Sequence, residues 1–145
     1  MAKPKQVEVE HEGSTSSYWW FDTLPTRKEL QKFSTNIVPA QERLRPLLEL
    51  GLVTALIDCE WQQKNDYLHH RGSGLDTIMV RLCKQHNTMI LVDMTKFYAC
   101  DADAQAILLG RIYQNRKLAK KYGVLMFAVV DEAGKIQLHP LDQYV

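Results

Sequence analysis

Two adjacent histidines and an arginine, His69-His70-Arg71, lead into a small-residue turn, Gly72-Ser73-Gly74. Imidazole can ligate a metal or carry a proton. Guanidinium presents a planar fork of donors that matches phosphate oxygens. Neighbouring side chains on extended chain point to opposite sides, so these two imidazoles are poorly placed to share one metal. Ser73 is a candidate N-cap for a helix starting at Gly74, and the backbone donors of such a turn can also receive a phosphate or carboxylate. The triplet therefore reads as a positioning loop that presents Arg71 beside a helix start. A plain turn with a serine cap stands beside that reading.

Acids gather at three further points: Asp58-Cys59-Glu60, the stretch from Asp93 to Cys100, and Asp131-Glu132. Each follows a short apolar run, and the loops after parallel strands are where α/β proteins place function. Oxygen ligands there suit a divalent cation, and with a histidine added they would suit a metal-dependent phosphoesterase. The H-x-H spacing that puts two imidazoles on one strand face is absent. Solvated acids, or acids satisfied by helix dipoles, explain the same residues. Cys59, Cys83 and Cys100 are widely spaced and form no C-x-x-C, so neither a disulfide framework nor a thiolate zinc site is indicated. Cys59 and Cys83 read as packed thiols, and a reducing cytoplasmic setting is expected.

The formal net charge is +1 over 145 residues, so bulk electrostatics favour no class of partner. Local charge is more uneven. Arg111, Arg116, Lys117, Lys120 and Lys121 crowd one segment, which reads either as a solvated helix face or as a ridge tracking phosphates. No run approaches the roughly 18 apolar residues of a membrane span, and the start of the chain lacks the apolar run of a secretory signal.

The elements that must position these groups follow from pattern. Residues 1–17 mix charge with Gly, Ser and Thr and read as a flexible arm, with Val7 to Glu10 alternating like an edge strand. Residues 18–145 read as a single α/β domain. Tyr18, Trp19, Trp20 and Phe21 either anchor the arm on the core or meet a partner. Thr26 and Glu29 have capping-box spacing for a short helix. Pro39 suits the first turn of a second helix, with a break at Pro46. After that come an apolar run at 53–61, a helix to about His86, a strand at 88–94, a helix from Ala102 to Tyr122 capped by Asp101 and stopped by Gly123, and a strand at 124–130. In the long helix Ala104, Ile107, Leu108, Ile112 and Leu118 are the inward candidates. "DEAGK" then turns into "IQLH" as a candidate antiparallel hairpin. The expected fold is a β-α-β-α-β parallel sheet, as an incomplete TIM-barrel-like or small α/β layer. Such a sheet leaves an edge uncovered, so a dimer or a heteromeric partner is expected.

The order of three segments adds to this: "HHRGSGLD", then "TIMVRLCKQHNTMILVDMTKF", then "AQAILLGRIYQNRKLAKKYGV". Ser73-Gly74-Leu75-Asp76, Lys84 to Asn87, and Lys117-Leu118 through Lys121-Tyr122-Gly123-Val124 fall where the archaeal ribonuclease P protein component 3 family carries similar residues. Over about residues 52–130 the chain resembles that family, whose members are longer at both ends. The resemblance implies a fold related to the TIM barrel with no catalytic site of its own. It further implies a subunit of an RNA enzyme that trims precursor tRNA at the 5′ end, with magnesium chemistry carried by the RNA and with a second protein subunit as partner. Arg71, Lys84, Arg111, Arg116 and Lys120 are the candidates for RNA contact, chosen on charge and position. Tyr18, Trp19, Trp20 and Phe21 are the candidates for partner contact. Two alternatives stand beside this one: a STAS-like regulatory interaction domain, suggested by "ILVDMTKFYACDADA", and the metal-dependent phosphoesterase.

Overall fold

The computed structural model describes residues 3–61 and 72–144. Seven strands close into one barrel: β1 (Lys5–His11), β2 (Ser14–Trp20), β3 (Asn36–Pro39), β4 (Ala55–Ile57), β5 (Met89–Asp93), β6 (Met126–Glu132) and β7 (Lys135–Pro140). Strands β2 to β6 run parallel to one another, and β1 and β7 run the other way. The ring closes where Val9 and Glu10 of β1 meet Ile136 and Gln137 of β7 in parallel register.

This corrects the expected sheet layer. The β-α-β-α-β run is present, but it is one sector of a closed barrel rather than an open sheet. Closure comes from the two ends of the chain. Residues 5–20, which read as an arm leading into an aromatic cluster, pair along their length as the β1–β2 hairpin. The β6–β7 hairpin supplies the other side of the seam. A closed barrel has no free edge to satisfy, so the expectation of a partner based on an uncovered edge loses its basis. The open sheet needed by the regulatory-domain alternative is likewise absent.

Strand alternation sorts the apolar residues into two layers. Val9, Ile37, Ala55, Ile57, Leu91, Val129 and Leu138 fill the barrel, with Tyr18 and Trp20 packed against them. The alternate positions face outward under helices. Phe21, Val38, Leu56 and Ile90 pack with Leu30, Leu44, Leu48 and Val80, which belong to α1 (Arg27–Lys32), α2 (Leu44–Glu49) and α3 (Thr77–His86). Val92 and Ala128 pack with Phe97, Leu108 and Ile112 from α4 (Met94–Tyr98) and α5 (Ala102–Tyr122).

Helix ends follow local chemistry. Thr26 and Glu29 make the full capping box. Asp101 caps α5 through Ala104 N–H, and Gly123 ends it in the left-handed region. Two expectations change. Pro39 closes a buried strand rather than opening a helix. Pro46 lies in the first turn of α2, where its missing N–H would have lacked an intrahelical partner anyway. Ser73 is not the cap of α3; Asp76 takes that role, accepting from Met79 N–H at 2.8 Å.

Candidate functional site

The carboxyl ends of five parallel strands open on one side of the barrel, and the residues just beyond them make its mouth. A cavity of about 670 Å³ there is lined by Asp22, Gln41, Glu42, Asp58, Trp61 and Lys96 among others. Asp58 follows β4 directly and sits in the left-handed region at φ 67°, which aspartate tolerates better than most residues. Asp93 ends β5 and caps α4 through Lys96 N–H at 3.1 Å. That cap aims the first turn of α4 at β4. Lys96 Nζ then lies 3.3 Å from Asp58 Oδ2 and 4.3 Å from the centre of the Trp61 ring.

Burial dominates the electrostatics of the mouth. Glu60 is 2% exposed, and desolvation pushes its carboxyl up to about 8, against a lowering by its own backbone N–H. Burial also raises the Asp58 carboxyl; Lys96 opposes that rise and Asp93 adds to it. Oδ1 of Asp58 is buried with no hydrogen-bond partner. The thiols of Cys59 and Cys83 are held protonated by burial, the latter pushed up to about 12, as packed thiols should be. Among the described residues no group of three His, Cys, Asp or Glu is placed to hold a metal ion.

The turn at 72–75 is built into the interior. Gly72 and Ser73 are buried. Ser73 Oγ accepts from Gln114 Nε2 at 3.0 Å, and its carbonyl accepts from Asn115 Nδ2 at 2.8 Å. Gly74 has φ 77°, and a Cβ there would lie 1.9 Å from the Cys59 carbonyl oxygen. These contacts join the turn to α5 and to the short 3-10 turn Cys59–Trp61. They account for Ser73 and Gly74 as packing residues rather than as an anion cradle. His69, His70 and Arg71 lie outside the described residues.

The candidate cations separate into two kinds. Arg111 is buried, and its Nη1 donates to the Glu60 carbonyl at 3.0 Å, so it is an internal strut rather than an exposed contact. Arg116 pairs with Asp142. Lys84 and Lys120 are exposed and lie at the end of the barrel opposite the mouth, where α3 and α5 terminate. Lys84 Nζ is 3.4 Å from the Gly123 carbonyl. Arg81 stands over the Tyr122 ring at 5.4 Å and Lys121 at 5.5 Å. Arg81 did not stand out in the sequence, because it falls in a segment of mixed character; its i, i+3 relation to Lys84 is the signal that puts both on one face.

The aromatic cluster is divided by strand alternation. Tyr18 and Trp20 belong to the barrel interior. Trp19 packs on Phe33 at 4.9 Å between ring centres, and Phe21 is 1% exposed. All four therefore anchor the hairpin to the core, and Phe21 is not available to a partner.

No family model, curated protein or solved structure matches this chain.

Proposed function

We propose that this chain is a non-catalytic protein subunit of a ribonuclease P-like ribonucleoprotein, stabilising a catalytic RNA that processes precursor tRNA at the 5′ end. The chemistry and its magnesium belong to the RNA in this reading, and a second protein subunit completes the particle. The ordered motifs between residues 52 and 130 suggest this class. The observation that carries it is the cationic face where two helices end together: Arg81 and Lys84 from α3 and Lys121 from α5, arranged about Tyr122 and Gly123, with Lys120 exposed one position earlier in α5. Cations converging from separate elements around an aromatic ring suit a sugar-phosphate backbone.

The test is binding of the purified chain to a ribonuclease P RNA across a salt titration. Affinity should fall steeply as salt rises. Replacing Arg81, Lys84, Lys120 and Lys121 together by alanine should flatten the slope of log affinity against log salt by about 3. Binding that is absent, or that keeps its slope in the variant, would count against the reading.

A further inference from the structure

RNA held at the cationic helix ends, on the far side of the barrel, leaves the mouth cavity without a role. Four successive parallel strands each deliver one charged side chain to this space of about 670 Å³. Asp22 follows β2, Glu42 follows β3, Asp58 follows β4 and Lys96 follows β5. The size is that of a small-molecule site, and the end of the barrel is the one where strand-end residues converge. Three carboxylates against one ammonium leave a surplus of two negative charges among the described lining residues. Asp22 and Glu42 are exposed, and among the described residues neither makes an ion pair.

Lys96 shows how this space receives an alkylammonium. Its Nζ meets the Asp58 carboxylate at 3.3 Å and the Trp61 ring, 4.3 Å from the ring centre. The contact does not exhaust Asp58, whose Oδ1 has no hydrogen-bond partner. The carboxylates are spread around the cavity: among the described residues they form no group that could hold a metal ion. One compact cation therefore cannot answer all of them. A flexible chain with separated ammonium groups can, each cation meeting its own carboxylate while the methylene stem lies along the apolar part of the lining, Pro39 and Ala40. We propose that the barrel mouth binds an aliphatic polyamine, with Lys96 occupying one of the ammonium positions as a tethered competitor. The proposal is independent of the RNA reading.

Calorimetric titration of spermidine into the full chain, with no RNA present, tests it. Saturable one-to-one binding is expected, weakening as salt rises. Asp22→Asn and Glu42→Gln should each weaken it about threefold. Lys96→Met should instead tighten it about fivefold, because it removes a positive charge and frees Asp58. Adding Asp58→Asn to that variant should cancel the gain. Magnesium chloride should displace spermidine no better than sodium chloride of equal ionic strength. The altered side chains line an open cavity, so circular dichroism should show folded variants. The chain carrying alanine at Arg81, Lys84, Lys120 and Lys121 should bind spermidine unchanged, so the two readings fail separately. The absence of saturable binding up to about 10 mM spermidine would overturn the proposal. So would specific displacement by magnesium, affinities that ignore the loss of Asp22 and Glu42, or a Lys96→Met chain that binds no more tightly.

Discussion

Arg111 and Glu60 are joined across 51 positions of sequence: the guanidinium donates from Nη1 to the glutamate's backbone carbonyl at 3.0 Å. Arg111 is 4% exposed and Glu60 2%. The bond ties the middle of α5 to the turn that follows β4, and so fixes the floor behind the barrel mouth. Replacing Arg111 by alanine removes a buried charged donor and leaves that carbonyl without this partner. A loss of about 3 kcal/mol is expected, read by urea denaturation. Because Arg111 is internal, the salt slope of RNA binding should be unchanged at temperatures where the variant is folded. A large change in that slope at unchanged stability would instead make Arg111 an RNA contact.

Gly74 is held by two constraints at once, a left-handed φ of 77° and the Cys59 carbonyl at 1.9 Å from any added Cβ. The atom in the way is backbone, so relief requires shifting the 3-10 turn that carries Glu60 and Trp61. Gly74→Ala should therefore cost more than about 2 kcal/mol. By contrast Gly13, at φ 80° with open space around its Cβ position, should tolerate alanine with a loss of only about 1 kcal/mol. Thermal melts of the two variants, side by side, check the ordering. An equal loss at both would mean that the turn yields freely.

The parts of this fold that were readable are those set by neighbours in sequence. The Thr26 box, the Asp101 cap and the Gly123 stop each depend on a few residues and a local hydrogen bond. Barrel closure depends on Val9 and Ile136 lying side by side, which no local pattern encodes. Strand β3 is four buried residues long and ends in proline, too short for alternation to show. Cation roles were legible in part. Arg111 follows Leu108 by three positions and precedes Ile112 by one, so helical spacing alone could have placed it inward. Lys84 and Lys120 carried no such mark and are exposed. The mouth was legible as a set of acids at strand ends. Its lysine was not, because the turn of α4 that brings Lys96 to Asp58 starts from the Asp93 cap rather than from a pattern in the strands.

Lys96 is the only cation in the mouth cavity among its described lining residues, and it offsets part of what burial does to Asp58. Lys96→Met removes the ammonium 3.3 Å from Oδ2 while keeping an unbranched stem. The Asp58 midpoint should then move further up. Carboxyl-carbon chemical shifts followed through a pH titration would show it, with Asp58→Asn used to assign the signal. An unmoved midpoint would mean that solvent screens the pair.

Glu60 makes stability depend on pH in a definite direction. Its folded-state carboxyl is pushed up to about 8 from an ordinary 4.5. Between those values the unfolded chain releases this proton and the folded chain keeps it, so the folded state binds more protons. Stability must then fall as pH rises from about 5 to 8, and the full penalty applies above the folded value. At about 1.4 kcal/mol per unit, the loss is on the order of 4 kcal/mol. Glu60→Gln keeps the shape and cannot ionise, so it should be worth little near pH 4 and stabilise the chain by a few kcal/mol near pH 9. Denaturant titrations of both proteins from pH 4 to 9 measure the difference directly. Curves that stay parallel over that range would show that Glu60 ionises in the folded chain as easily as in water.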